Sequence, residues 1–352
     1  MNNIPSNMAG VLLVGHGGPE MLEYRTDIAR PDPLPNQVLV RVESAGVNNT
    51  DINTRIGWYS KDGDDDDATW SGKPLEFPRI QGADVCGVIV AVGDNVANDR
   101  LGERVIIDPC LFEGDDEALE TPWYFGSECD GGFAEYTVVA ARHAYGVECD
   151  LSSVELASFP CSYSTAENML TRSSISKGDR VLITGASGGV GSAAVQLAKA
   201  RGAEVIAQTS ASKEQALLEI GADKTVLRDD DLVKTLGNNS VDVVIDLVGG
   251  SAWPKLLDAL KPSGRYAVSG AIAGAMVELD LRTLYLKDLN FFGCTVLEPK
   301  VFPNLVSLIE AGKIKPLVAE TYPLQDINAA QASFESKKHI GKIVLKVKEA
   351  TS

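Results

Sequence analysis

Apolar and polar residues change rhythm near the middle of this chain. Through the first third, short apolar or β-branched runs at 11–14, 37–44, 85–92, 103–108 and 133–139 alternate with Gly, Pro, Asn and Asp turns, which predicts a β-rich region. From about Leu156 the rhythm becomes strand, helix, strand. Strands are predicted at 180–184, 204–208, 241–247, 265–269 and 290–296, with helical patterns over 188–201, 212–220 and 253–261. A continuous apolar strand such as VDVVIDL belongs inside a parallel sheet covered by helices on both faces. After Ile314 the pattern returns to β and ends at 341–347. The expected fold class is therefore α/β: a β-rich domain over 1–155, completed by 313–352, and a doubly wound domain over 156–312 inserted within it.

One stretch of the inserted domain carries chemistry. VLITGASGGVGSAAVQLAK, from Val181 to Lys199, reads as an apolar strand, a turn with four glycines, and a helix with Val190, Ala194, Leu197 and Ala198 on one face. A dinucleotide-binding βαβ unit requires this order. The turn must let a pyrophosphate approach the backbone, and the helix N-terminus then offers unpaired N–H groups and a positive dipole end. Ala186 stands at the first glycine position of G-x-G-x-x-G, followed by Gly188, Gly189, Val190 and Gly191. The tip of the next strand decides between the two nicotinamide dinucleotides. An acid there would accept hydrogen bonds from a ribose 2′-hydroxyl. This chain instead reads Thr209-Ser210-Ala211-Ser212-Lys213, whose hydroxyls and cation suit a 2′-phosphate. NADPH is the expected cofactor.

Composition narrows the classes. The length of 352 residues suits two domains. No apolar run approaches the ~20 residues needed to span a bilayer, so no membrane partner is expected. The formal charge of −17 argues against nucleic acid, which needs a concentrated basic surface. Six cysteines without C-x-x-C pairs, in a chain whose start lacks a secretory pattern, read as free thiols in a reducing, cytoplasmic compartment. The acidic run from Asp62 to Asp67 lacks the spacing of a calcium loop and reads as a solvated segment of the loop 60–75, expected to rim the substrate pocket. His16, His143 and His339 fall in no metal or triad pattern.

The segments GVLLVGHGGPEMLEY, QVLVRVESAGVNNTDI, FPRIQGADVCGVIVAVGDNV, GGFAEYTVV, KGDRVLITGASGGVG, DLVGG and HIGKIVLKV resemble, almost end to end, the medium-chain dehydrogenase/reductase superfamily, in its zinc-free quinone oxidoreductase (zeta-crystallin-like) branch. The resemblance implies a GroES-like catalytic domain and a Rossmann cofactor domain. Relatives that depend on zinc hold it with a Cys, a His and a second Cys. Here those positions read Asn48, Ala83 and Cys161, and one thiolate cannot hold a tetrahedral zinc, so no metal is expected. Ser210 and Lys213 fall where NADP-dependent members contact the phosphate, and Arg228 where they commonly carry a tyrosine. The resemblance also implies nicotinamide contacts for Thr165, for Val248 and Ala271 through main chain, and for Lys342 and Asn48.

Without a Lewis acid, the implied reaction is hydride transfer to an already electrophilic small molecule, a quinone or an α,β-unsaturated carbonyl. Quinone oxidoreductases carry a tyrosine where this chain has Asn53, whereas Tyr59 matches the tyrosine of mitochondrial-type enoyl thioester reductases, a proton donor or oxyanion partner. Two alternatives stand beside this reading: a zinc-type alcohol dehydrogenase relative, and an NADPH-binding structural or regulatory protein with little turnover. The apolar strand 290–296 falls where relatives pair the edges of two cofactor sheets, which predicts a homodimer through the cofactor domain.

Overall fold

The computed structural model describes residues 4–60 and 74–347, so the acidic run and most of the loop 60–75 lie outside the described residues. The chain divides into two compact units, Met1–Cys161 with Pro316–Ser352, and Ser162–Lys315. The first division falls inside the helix Pro160–Arg172 rather than at the change of rhythm near 155. The physical reason is that the Cys161 N–H donates to the Asp84 carboxylate at 2.6 Å, which ties the start of that helix to the β-rich unit.

The β-rich unit is organised by one long strand, Gln37–Val47. It lies inside a seven-stranded sheet whose path runs Ala144–Gly146, Arg104–Ile107, Asp84–Val92, Gln37–Val47, Lys342–Lys346, Val318–Pro323, with Tyr136–Ala140 also paired to Gln37–Val47. Tyr136–Ala140 pairs with its first half, Gln37 opposite Ala140. Lys342–Lys346 pairs antiparallel with its second half, Ile343 opposite Val47. On the other side Asp84 lies opposite Gly46. Val38, Val40, Val42, Ile89, Val105, Ile343 and Leu345 form the buried face.

Two elements here escape the apolar rhythm. Cys110–Gly114 and Glu117–Tyr124 pair as an antiparallel hairpin. Its turn uses Asp115 and Asp116, both at positive φ (49° and 62°), which aspartate tolerates better than most side chains. The acid-rich strands hid the alternation. Between Val318–Pro323 and Lys342–Lys346 lies the helix Ile327–Glu335, which buries Ile327, Ala330, Gln331 and Phe334 at i, i+3, i+4 and i+7. The expected return to β after Ile314 therefore holds for two strands and misses the helix that joins them.

The unit Ser162–Lys315 is a six-stranded, all-parallel sheet in the order Lys224–Leu227, Glu204–Thr209, Arg180–Ile183, Val241–Asp246, Leu260–Val268, Asn290–Gly293. The order reverses between Arg180–Ile183 and Val241–Asp246, the switch point at which open α/β sheets bind ligands. Helices Gly189–Ala200, Glu214–Glu219 and Trp253–Ala259 match the predicted ones to within a turn. Leu182, Ile206, Val241, Val244, Leu256 and Tyr266 lie in one buried cluster around the sheet.

Leu182 sits on the strand before the glycine turn and is fully buried. Leu182→Ala should remove ~2–5 kcal/mol from this unit, through lost transfer energy and the cavity left behind. In urea, its unfolding midpoint should fall with an unchanged slope, while the β-rich unit's transition stays in place.

Candidate functional site

In the β-rich unit the strand register brings three distant segments to one buried point. Asn48 follows the central strand, Lys342 begins the neighbouring C-terminal strand, and Asp84 begins the strand on the other side. The Lys342 Nζ donates to Asp84 Oδ2 at 2.7 Å and to Asn48 Oδ1 at 2.5 Å. The Asn48 Nδ2 also donates to Asp84 Oδ2, at 2.9 Å, and the Cys161 N–H fills Oδ1. Gly46 makes the space: a Cβ there would lie 2.5 Å from Asp84 Oδ2 and 2.7 Å from the Ala157 carbonyl. Asp84 is completely buried and Lys342 nearly so, at 0% and 2% exposure. Charges so far from water persist only when paired and hydrogen-bonded.

Around this pair lie further ionisable groups. The Asn48 N–H donates to Asp51 Oδ2 at 2.7 Å, a cap on the helix Asn49–Arg55. Burial pushes the Asp51 carboxyl up to about 7, against the opposing pull of the Asn48 N–H and the Lys342 charge. Tyr124 and Cys161 share a hydrogen bond of 2.9 Å between hydroxyl and thiol. Burial raises both, Cys161 to about 12, so Cys161 is a thiol at neutral pH. Tyr59 shares a 3.0 Å hydrogen bond between its hydroxyl and that of Thr50, and its pKa is raised, mainly by burial. Tyr59 is therefore a hydroxyl that can donate, seated on the turn that follows the helix carrying Thr50.

This donor set does not fit zinc. Ala83 offers no ligand, the Asn48 amide oxygen already accepts from an ammonium, and that ammonium would stand beside any divalent ion bound there. Among the described residues, no group of three or more His, Cys, Asp or Glu side chains is placed to hold a metal ion. The Lys342 ammonium is held on Asp84 and Asn48.

In the other unit the glycine turn closes on itself. Gly185 sits at φ +59°, and the Gly188 N–H donates to its carbonyl at 3.0 Å. Gly188 caps the helix Gly189–Ala200, leaving the Gly189, Val190 and Gly191 N–H groups without intrahelical partners. A Cβ on Gly191 would lie 2.3 Å from the Gly185 carbonyl, so only glycine permits this closeness of turn and helix. Ala186 is wholly buried. The turn thus presents backbone and a helix N-terminus to an anion, and a dinucleotide pyrophosphate fits it.

Two more loops at the same sheet edge are set by hydrogen bonds. Asp246, buried at the end of Val241–Asp246, accepts from the Thr184 and Tyr266 hydroxyls, each at 2.6 Å, and from the Val248 and Gly249 N–H groups at 2.9 and 3.2 Å. The Val248 carbonyl accepts from Ala273 and the Ala271 carbonyl from Gly274, so each keeps one lone pair for a ligand. Beside them, the Arg228 N–H donates to the Thr209 carbonyl at 2.8 Å, and the Lys213 N–H to the Ser210 carbonyl at 3.0 Å. Ser210, Lys213 and Arg228 are thereby gathered at the end of Glu204–Thr209. The Lys213 pKa is lowered, first by burial and then by the Arg228 charge. Thr165 is half-buried on Pro160–Arg172.

The residue pattern passed over Asp84, Asp51 and Tyr124. One signal was present: an acid inside the apolar run GADVCGVIV is a buried charge and implies a partner.

Comparison with known proteins adds three findings. Residues 34–148 match the alcohol dehydrogenase GroES-like domain, and residues 189–311 the zinc-binding dehydrogenase domain. The chain is 30% identical to human quinone oxidoreductase over 96% of its length and 97% of the relative's, and 30% identical to an NAD-dependent alcohol dehydrogenase of Saccharolobus solfataricus over 96% and 99%. A solved structure from Sinorhizobium meliloti 1021, which carries an alcohol dehydrogenase name, superposes with a TM-score of 0.92 at 46% identity, covering 98% of each chain.

Asp51 makes the β-rich unit's stability depend on pH. Its pKa is about 7 when folded and ~3.9 when unfolded, so the folded state holds the proton more tightly. The contribution is complete below pH ~4 and is lost as pH rises through about 7. Asp51→Asn should flatten the stability profile over that window, measured by urea unfolding at successive pH values.

Proposed function

Because the chain belongs to the medium-chain dehydrogenase/reductase superfamily, whose members bind a nicotinamide cofactor, we propose that it is an oxidoreductase that uses NADPH to reduce a quinone or an α,β-unsaturated carbonyl without zinc. The observation that carries this reading is the buried Lys342–Asp84–Asn48 cluster. It puts a fixed ammonium and an occupied amide among the residues where a zinc-dependent relative would need ligands. Without a Lewis acid to stabilise an alkoxide, the acceptor must be electrophilic on its own.

When bound, the reduced nicotinamide supplies the hydride. The chain's own residues do the rest. The Gly189, Val190 and Gly191 N–H groups hold the pyrophosphate, and Ser210, Lys213 and Arg228 take the 2′-phosphate. A reduced enone gains a hydride at its β-carbon and a proton at its α-carbon; a quinone gains the hydride and a proton to become a hydroquinone. The Tyr59 hydroxyl, held by Thr50 and kept protonated by burial, is the group we assign to meet the acceptor oxygen or to give that proton.

A homodimer is part of this proposal. Asn290–Gly293 is the last strand of its sheet, with Phe291 exposed. The helix Leu281–Leu286 beside it in sequence buries none of its residues, and leaves Leu281, Tyr285 and Leu286 more than half exposed. An unpaired edge with apolar neighbours calls for cover, and a second copy offers the same edge.

Purified protein should oxidise NADPH with quinones or enones and show no dependence on added or removed zinc. Stoichiometric zinc, with alcohol oxidation lost on chelation, would overturn the reading. Lys213→Ala and Arg228→Ala should each raise KM for NADPH ~10–100-fold, equivalent to the ~1.5–3 kcal/mol of a hydrogen bond to a charged group, and leave KM for NADH unchanged. Sedimentation should show a dimer that Leu286→Glu converts to monomer without loss of fold.

A further inference from the structure

The β-rich unit holds a cavity of about 650 Å³, within the ~300–1,000 Å³ range of small-molecule sites. None of Asn48, Tyr59, Asp84 or Lys342 lines it, so the proposed reaction does not use it. The hairpin Cys110–Gly114 with Glu117–Tyr124 forms one wall, and Val138, Val139 and Ala140 form another. Gly114 shapes the first wall. A Cβ on it would lie 2.5 Å from the Trp123 ring, so the indole closes onto bare backbone.

The charge around this cavity has one sign. Glu76, Glu113, Asp115, Glu128 and Asp130 line it, against the single cation Arg79. The Arg79 guanidinium is bonded to Asp130 at 2.9 Å, and that of Arg142 stands 3.9 Å from Glu113. Glu76 and Asp115 have no ion pair among the described residues. A cleft lined by like charges with apolar walls behind them concentrates counter-ions. Among the described residues no group of three His, Cys, Asp or Glu side chains could hold a metal ion, so the cation that suits this space is an organic one.

An independent feature of the wall also calls for a ligand. Gln37 lines the cavity and keeps only 6% of its surface exposed. Its Oε1 accepts from the Leu34 N–H at 3.1 Å, which fixes the other amide atom as the Nε2 donor. That donor has no hydrogen-bond partner among the described residues, and it stays accessible where the Ser127 hydroxyl is sealed from solvent. What it lacks is an acceptor such as a carbonyl oxygen. We propose that this cavity binds a small organic ammonium whose apolar or aromatic body carries a carbonyl. The carboxylates hold the charge, Trp123 packs against the body, and the Gln37 Nε2 donates to the carbonyl.

Phenylalaninamide, phenethylamine and N-acetylphenylalaninamide test it. The first has ring, ammonium and carbonyl, the second lacks the carbonyl, and the third lacks the charge. Each is titrated by calorimetry into the full chain without cofactor, at about pH 6, where the α-amine is charged. Phenylalaninamide should bind saturably, and the other two about tenfold more weakly. Its affinity should fall as salt is added. Asp115→Asn keeps a side chain that tolerates the left-handed turn at φ 49°, and should weaken phenylalaninamide ~2–5-fold without changing the acetylated probe. Gln37→Leu should erase the preference for phenylalaninamide over phenethylamine. Val138→Trp, which fills the cavity, should abolish binding of all three. No saturable binding, equal binding of the three probes, indifference to both salt and Asp115→Asn, or binding that survives Val138→Trp would each overturn the proposal. Should Gln37→Leu or Val138→Trp fail to fold, the probe series and Asp115→Asn, at an exposed turn, still decide it.

Discussion

Asp84 is the point on which the β-rich unit turns. A carboxylate with no exposure to water must have its lone pairs filled, and here they are filled by groups from three segments far apart in sequence. One oxygen takes the Lys342 ammonium and the Asn48 amide, and the other takes the Cys161 N–H. Removing Lys342 would strand a charge in a low-dielectric interior, where an unpaired ion costs several kcal/mol. The strand order, the absence of a side chain at Gly46 and the start of the helix Pro160–Arg172 all serve this single constraint.

The parallel unit repeats the device at its own scale. Asp246 also ends or begins an apolar strand, is also fully buried, and also gathers donors from separate loops. There the outcome is a shaped rim: the Thr184, Val248 and Tyr266 segments converge at the carboxyl end of the sheet, next to the glycine turn. In both units a buried acid trades solvation for positional order. The two differ in what completes them. Asp84 needs a cation, whereas Asp246 is satisfied by hydroxyls and main-chain N–H groups. That difference is why only the first places a fixed positive charge among the residues that a metal would require.

What could be read in the sequence was what depends on near neighbours. The turn from Gly185 to Gly191 joins a strand and a helix that follow each other directly, and a bare rhythm of apolar residues identifies both. The place of Ser210 and Lys213 just past a strand end was legible for the same reason, since they follow Glu204–Thr209 at once. The hairpin Cys110–Gly114 with Glu117–Tyr124 was obscured because its turn rests on two aspartates in a left-handed conformation rather than on glycine. The meeting of Lys342 with Asn48 depends on a register set between residues 294 positions apart, and no local pattern encodes it.

The placement of Lys342–Lys346 inside its sheet, between Gln37–Val47 and Val318–Pro323, bears on how the chain comes to be folded at all. During synthesis the segment Ser162–Lys315 is contiguous and can close its sheet as soon as it leaves the ribosome. The β-rich unit begins first and finishes last, because its long strand keeps an open edge, and Asp84 lacks its cation, until the final strand arrives. For that interval the exposed edge of Gln37–Val47 is a surface on which another chain could pair. The order in which the ribosome delivers the strands thus leaves the second half of Gln37–Val47 without its Lys342–Lys346 partner until that late strand has been made.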